Sequence, residues 1–512
     1  MRRSIQDGVH EAVALEWREC SLADQGLLRA FDTLRQDAFP WLLDSALHEH
    51  GLGRFSFAGS DPYLVLRING GEIEEHCRRP VRLGAHVGHS LVESDPIDWL
   101  RRVLPAGRGM TTDLPVDLPF VGGAVGYLGY EFARSARFEW PPELEADVTF
   151  ADATVLLVDR VLAVDHEKDR AFALGLGFGP DLEEARRNAT RTVEGLVNQL
   201  DASEACADSS GSQVEASSER LRTVLGAEPP SGLVFECGEV EYTDRIHTIQ
   251  EEIAAGNVYE ANLTTRMVMP FSGDPWDLYR SLRRLSPAPF SCFMQVPDGT
   301  IVGSSPERFL KMSERGEVES RPIKGTRRRG FSAEEDHGLE RELALSEKDR
   351  AENLMIVDLV RNDLGRVCEF GSVQVPELMK IERYASVFQM VSTVTGRLRE
   401  DCDALDLVGA AFPPGSMTGA PKIAAVALLE QLEPVRRGVY SGALGYFDLR
   451  GGMDLSVVIR TLLLQKAHAY LQVGGAVVAD SDPVCEYAEA LDKARALWAA
   501  LSASEANDGE GS

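Results

Sequence analysis

The stretch 440–479 constrains the fold most. Three strand-like runs, 440–449, 455–464 and 469–479, follow one another with only Arg450-Gly451-Gly452 and residues 465–468 at the breaks. Connections this short cannot carry a helix back across a sheet, so the runs must pair antiparallel, and a meander is predicted. A helix follows. Asp482 is placed to cap it, Pro483 sits at its first position, and Tyr487, Leu491, Ala494, Trp498 and Leu501 share one face. Helices are also predicted over 243–256 and 346–365. Nearer the N-terminus, residues 54–58 alternate, Gly59-Ser60-Asp61-Pro62 turns, and 63–67 extends. Strands and helices mix without βαβ alternation, so the expected class is α+β.

Residues 201–219 are rich in Ser, Ala, Asp and Glu and lack apolar periodicity. They predict a linker, taken as 201–232, between an N-terminal region (10–200) and a C-terminal region (233–503). Residues 504–512 are acidic and Gly-rich and are expected to be a disordered tail. Gly122, Gly123, Gly126 and Gly129 resemble a phosphate loop only loosely. Without a strand–loop–helix setting they are better read as allowing close sheet packing.

The net charge of −28 argues against nucleic acid and against an anionic membrane surface as partners. No apolar run is long enough to span a bilayer, and none follows Met1-Arg2-Arg3 as a signal would require, so a cytoplasmic protein is expected. The 8 cysteines are scattered without Cys-x-x-Cys pairs, which fits reduced thiols and not a zinc site. Histidine is too sparse near the informative segments for a Ser-His-Asp triad.

Lysine is the rare cation. Of 53 basic residues only Lys168, Lys311, Lys324, Lys348, Lys380, Lys422, Lys466 and Lys493 are lysine. An amine can lose its proton and attack carbon, and a guanidinium cannot, so these positions are candidates for chemistry as well as leftovers of a biased composition. Lys324 lies in Pro322-Ile323-Lys324-Gly325-Thr326 at a strand end. Glu307, in Ser305-Pro306-Glu307-Arg308, ends another strand-like run. The two could form an acid–nucleophile pair, or Lys324 could be a plain surface turn.

Glu486 and Glu489 lie three apart on one helix, as do Asp349 and Glu352 on another. Each pair could hold a hard cation such as Mg²⁺ or simply line a solvated face, with Glu489 pairing Lys493 and Ser346 capping at Asp349. The Gly415–Lys422 segment, with Ser416 and Thr418, could bind an anion through backbone N–H groups or merely start a helix. Arg460, inside an apolar strand run, needs a carboxylate partner, either a ligand or a structural one.

These segments together resemble the chorismate-utilising enzymes. The likeness is dense over 242–497. It runs through Ile253-Ala254-Ala255-Gly256-Asn257-Val258-Tyr259-Glu260-Ala261-Asn262-Leu263, Ser305-Pro306-Glu307-Arg308-Phe309, Glu352-Asn353-Leu354-Met355-Ile356-Val357-Asp358-Leu359-Val360-Arg361-Asn362-Asp363, Thr418-Gly419-Ala420-Pro421-Lys422 and Ala479-Asp480-Ser481-Asp482-Pro483. It is weaker over 42–67 and 119–131. The resemblance implies a sandwich of large antiparallel sheets flanked by helices.

Within that family, Pro-Ile-Lys-Gly-Thr resembles the aminodeoxychorismate-forming branch, whereas anthranilate synthases usually carry alanine at the lysine. The branch implies chorismate and ammonia as substrates, with a separate glutamine amidotransferase as ammonia source. Lys324 would attack C2, Glu307 would protonate the departing C4 hydroxyl, and ammonia would then enter at C4 and displace the lysine. By the same likeness Glu352 and Glu489 are magnesium ligands supported by Asp349 and Glu486. Arg460, Tyr440, Gly474, Gly475, Lys493, Thr326, Ser416 and Thr418 match substrate-binding places.

Asn257, Glu260, Pro414, Ala476 and Gln389 depart from the usual pattern; Glu260 stands where Gln is frequent, and Gln389 where His often stands. The segment Leu42-Leu43-Asp44-Ser45 resembles a tryptophan-binding region of relatives, but Asp44 replaces the usual Glu and functional tryptophan binding is not expected to follow. No fused glutaminase or lyase is expected. The alternatives are anthranilate synthase component I, against which Lys324 speaks, and a non-catalytic chorismate- or tryptophan-binding subunit. Isochorismate and salicylate synthases carry a lysine base near the 259–262 segment, and here no lysine lies between Lys168 and Lys311.

Overall fold

The computed structural model describes residues 11–509 except 23–25, 49–50, 105–112, 136–143, 145, 205–221, 225 and 385–386. Two 12-stranded antiparallel sheets face each other. In the first, Ala12–Cys20, Arg170–Gly179, Arg160–Asp165, Phe55–Gly59 and Trp41–Asp44 lead into Phe290–Val296, Gly299–Ser305, Thr461–Gln465, His468–Val477 and Glu260–Pro270. In the second, Ile323–Arg328, Val387–Arg397, Glu317–Arg321, Arg308–Met312, Met453–Val457 and Ala443–Asp448 lead into Gly123–Leu128, Ala153–Val158, Leu64–Asn69, Glu72–Cys77 and Gly88–Glu93.

The two sequence regions therefore complete each other's sheets. The joins are Trp41–Asp44 against Phe290–Val296 and Gly123–Leu128 against Ala443–Asp448. One apolar layer lies between the sheets, with Trp41, Phe57 and Phe172 from the first meeting Val125, Leu156 and Tyr446 from the second. Strands in such a place are buried on both faces, which is why Ala153–Val158 reads as an unbroken apolar run. Helices Gly26–Leu34, Glu239–Ala254 and Pro275–Leu285 cover the outer face of the first sheet, and Pro96–Val103, Glu347–Gly365 and Ala404–Ala411 that of the second.

Gly126 illustrates the close packing: a Cβ there would lie 2.2 Å from the Thr154 carbonyl oxygen. The quartet of glycines is a sheet feature. The predicted helices at 243–256 and 346–365 form as Glu239–Ala254 and Glu347–Gly365, and Asp482 caps its helix through Cys485 N–H at 2.9 Å.

Three expectations need correction. The predicted meander is two hairpins in different sheets: Ala443–Asp448 with Met453–Val457, and Thr461–Gln465 with His468–Val477. The run 455–464 is not one strand, because the chain crosses between sheets at Val458–Arg460. The terminal helix is also two, Pro483–Asp492 and Arg495–Gly509, broken at Lys493. The second of these continues through the expected tail to Gly509. Most of the expected linker lies outside the described residues. No described helix is long and apolar enough to cross a membrane, and the described cysteines are free.

Candidate active site

Two crossings between the sheets build the site. One runs from Gly299–Ser305 into Arg308–Met312 and carries Pro306-Glu307; the other runs from Met453–Val457 into Thr461–Gln465 and carries Arg460. They are laced together: Val457 N–H donates to Glu307 O at 3.0 Å, Ser304 N–H to Arg460 O at 3.0 Å, and the Ser305 hydroxyl to Val457 O at 2.6 Å. The backbone segments that carry Glu307 and Arg460 are thus tied to each other. Arg460 sits at φ +53°, a conformation an L-residue holds only where its surroundings dictate it.

Lys324 arrives from a third direction. The strand Ile323–Arg328 shifts register against Val387–Arg397 between Ile323 and Thr326, so a bulge carries Lys324 inward. Gly325 makes this possible. Its φ is +87°, and a Cβ there would lie 2.9 Å from the Asp349 side chain. Lys324 is only 8% exposed.

Between these elements is a cavity of about 140 Å³. Its wall includes Glu307, Lys324, Thr326, Ser416, Tyr440, Arg460, Gly474 and Lys493, together with Asp349, Glu352, Glu486 and Glu489. Gly475 stands just behind, where an added Cβ would be 3.4 Å from Glu486 Oε2 and 3.7 Å from Lys493 Nζ. Thr418 is not on the wall. It is fully buried, and its hydroxyl donates to the Gly415 carbonyl at 3.2 Å within its own turn. Lys422 likewise turns away, bonded to Asp363, Ala411 O and Pro413 O at 2.7–3.0 Å.

The charges in this cavity compete. Burial pushes Glu307 up to about 7, opposed by the Ser416 hydroxyl and the Lys324 ammonium. Its carboxyl can therefore hold a proton near neutrality, as a general acid must. Burial also raises Glu352 to about 7, with Lys324 opposing. For Lys324, burial works against the ammonium, but Glu260, Glu352 and Glu307 outweigh it and hold the pKa above the ordinary lysine range. Its Nζ donates to Glu260 Oε1 at 2.7 Å. Burial lowers Arg460, whose guanidinium donates to the Lys493 carbonyl at 2.8 Å. Lys493 Nζ reaches Gly474 O at 2.9 Å and Glu489 at 3.0 Å.

The four carboxylates are unequal. Asp349 accepts from Arg327 at 3.0 Å, and Glu486 accepts from Lys348 and from the Ser481 hydroxyl. Glu352 Oε1 is buried without a hydrogen-bond partner. Lys493 keeps Glu489, whose side chain is exposed, below the usual carboxylate range. Among the described residues no group of three or more ligating side chains converges on a metal position. Magnesium needs no such cage. It prefers one or two carboxylates, substrate oxygens and water, and Glu352 with Glu489 across the cavity fits that demand.

Asn262, Gln389, Gln472 and Lys348 also line the wall; the sequence marks Lys348 only as one of eight lysines and Gln389 only as a departure from the family pattern, and gives Asn262 and Gln472 no site role. Asn262 Nδ2 and Gln389 Oε1, like Glu352 Oε1, are buried and unpartnered. Three orphaned polar atoms around one cavity are what a bound polar ligand would satisfy. A signal for Asn262 was available: Glu260, Asn262 and Thr264 alternate with Ala261 and Leu263, giving a strand with a polar face that is nevertheless wholly buried.

A sandwich whose two crossings converge on an acid, a lysine and opposed carboxylates defines a ligand-transforming enzyme scaffold. The model of chorismate binding enzymes matches residues 49–499, and this chain belongs to that family. It is 41% identical over 485 residues to aminodeoxychorismate synthase of Streptomyces griseus, covering 91% of this chain and 62% of that protein. Against aminodeoxychorismate synthase component 1 of Klebsiella aerogenes it is 37% identical over 464 residues, covering 90% and 94%. The crystal structure of anthranilate synthase component I from Streptococcus pneumoniae superposes with a TM-score of 0.72 at 29% identity, covering 88% and 94%. The chain thus spans about three-fifths of its Streptomyces relative and nearly all of the Klebsiella one.

Proposed function

We propose that this protein converts chorismate and ammonia to 4-amino-4-deoxychorismate, with Lys324 as a covalent nucleophile. The observation that carries this reading is the placement of a buried lysine amine and a protonatable Glu307 on one small cavity wall. Lys324 attacks C2 of chorismate, the two conjugated ring double bonds shift round the ring toward C4, and the C4–O bond breaks as Glu307 gives its proton to the departing hydroxyl. Ammonia then bonds to C4, both double bonds shift back, and the C2–N bond to lysine breaks. Glu307 takes the proton shed by the new C4 amine and is reset.

The Glu307 carbonyl is pinned by Val457 N–H, so the acid stays aimed while its charge changes. Arg460, Tyr440 and Lys493 would hold the substrate carboxylates, in a protein whose overall charge would otherwise repel a dianion. Magnesium held by Glu352 and Glu489 would neutralise and orient the ring carboxylate. Lys348 on Glu486 and Arg327 on Asp349 keep the remaining two carboxylates from adding negative charge there. Ammonia is assigned to a separate glutamine amidotransferase subunit; the Klebsiella relative is itself named component 1.

The test is product identity. The protein is incubated with chorismate, magnesium and ammonium, aminodeoxychorismate lyase is added, and products are separated by mass and fluorescence. The reading expects 4-aminobenzoate. Anthranilate in its place would move the chain to the C2-aminating branch.

A further inference from the structure

Lys324 has one ionic partner in contact among the described residues, and it is neither the acid nor a metal candidate. Glu260 opens the strand Glu260–Pro270, is 0% exposed, and lies behind Lys324, off the cavity wall. Its Oε1 accepts from Lys324 Nζ at 2.7 Å, while its Oε2 is buried with no hydrogen-bond partner. A carboxylate kept only for structure in this interior looks different. Glu433 uses both oxygens, on Arg437 and Thr264, at 2.7–3.0 Å.

We propose that Glu260 is the proton acceptor that frees the Lys324 amine for attack and returns the proton when that amine is released. The proposal rests on the covalent-lysine reading above. An ammonium has no lone pair, so the attacking form must first lose a proton to a group in contact with it. Glu307, Glu352 and Glu489 also face Lys324, but Glu307 must donate to the leaving hydroxyl and the other two stand on the magnesium side.

The steps balance. The Lys324 N–H⁺ proton passes to Glu260 Oε1, giving a neutral amine and a neutral acid. The amine bonds to C2 as the C4 hydroxyl departs with the Glu307 proton, leaving a secondary ammonium. That ammonium is a competent leaving group when ammonia bonds to C4, and Lys324 departs as a free amine. Glu260 then returns its proton. The unpartnered Oε2 fits this cycle, because an unbonded oxygen costs less on a neutral acid than on a carboxylate.

The test uses the full chain with chorismate, magnesium and ammonium, measuring aminodeoxychorismate formation at fixed free ammonia across pH. Glu260→Gln keeps the size and one acceptor but stores no proton. It should lower kcat at pH 7 by roughly 10²-fold or more with KM for chorismate unchanged. The gap between wild type and variant should then narrow as pH rises, because solvent takes over removal of the Lys324 proton while deprotonation of Glu307 slows both enzymes alike. Glu260→Asp should restore part of the rate. A Glu260→Gln enzyme running at the wild-type rate, or slowed equally at every pH, would overturn the shuttle. Lys324→Ala is assayed beside it. If that variant is dead while Glu260→Gln is unimpaired, the shuttle alone falls; if Lys324→Ala turns over normally, the covalent reading falls and takes the shuttle with it.

Discussion

Two cavities of the sandwich are built in opposite ways. The larger, about 510 Å³, is lined by Asp44, Arg308, Asp448, Arg450 and Asp454 among others. Its charges are neutralised by the protein itself. Arg308 meets Asp454 at 2.9 Å and Glu319 at 2.6 Å, and Arg450 meets Asp448 at 2.7 Å. Asp44 is held by Tyr279 at 2.7 Å, by Arg283 and by Ser56. None of its lining residues holds a buried polar atom without a partner.

The smaller cavity has unpartnered atoms on Asn262, Gln389 and Glu352, and two carboxyls raised to about 7 by burial. Size does not mark a reactive site; unresolved electrostatics do. Burial in the first cavity is compensated by internal pairing, whereas in the second part of it is left uncompensated, an arrangement that would let binding energy be directed at the proposed reaction.

Substitutions can break or sharpen that contrast. The largest effect is expected from Lys324→Ala, which should lower aminodeoxychorismate output by roughly 10⁴-fold or more, with slow anthranilate formation as the residual product on chromatography. Next, Glu307→Gln should cost about 10²–10⁴-fold in kcat with KM for chorismate preserved. Chelation should stop turnover and added magnesium restore it. Glu486→Gln, which leaves Lys348 only its longer 3.9 Å pairing with Glu352, should weaken magnesium activation by roughly 10–100-fold in a titration of rate against metal.

The pH response is a smaller effect with a definite sign. In the proposed reaction Glu307 would act in its acid form, and its raised pKa keeps that form present up to about 7. At fixed free ammonia, kcat should therefore fall as pH rises through that value; a rate that rose there would remove Glu307 as the acid. In the larger cavity the contrast predicts stability without chemistry. Asp448→Ala leaves the buried Arg450 with only the Leu118 carbonyl at 2.7 Å and a longer contact to the half-exposed Glu314 at 3.6 Å and should destabilise by about 3 kcal/mol, read as a lower Tm, while kcat of the folded enzyme stays near wild type.

Much of this was legible in the sequence, for identifiable reasons. Capping chemistry is local, so Asp482-Pro483 and Ser346 announced their helices. The short turns at 450–452 and 465–468 announced antiparallel pairing. What period and spacing do not encode is which sheet a strand joins. The apolar run 455–464 looks continuous because both halves are buried, and only the positive φ at Arg460 marks the crossing.

The same limit hid the interleaving of the two regions, since joins such as Trp41–Asp44 with Phe290–Val296 are non-local. Lys324 and Glu307 stood out by chemistry, but their meeting depends on the bulge at Gly325 and on the laced crossings. Glu260 was visible as a departure from the family pattern. Its contact with Lys324 became visible only in three dimensions.

The most direct test of the central claim withholds ammonia. The protein is mixed with chorismate and magnesium alone, quenched, and weighed intact and as peptides. The account predicts a mass increase equal to chorismate less one water, on the peptide that holds Lys324 and absent from Lys324→Ala. An unmodified Lys324 in an enzyme that makes aminodeoxychorismate once ammonia is supplied would contradict it.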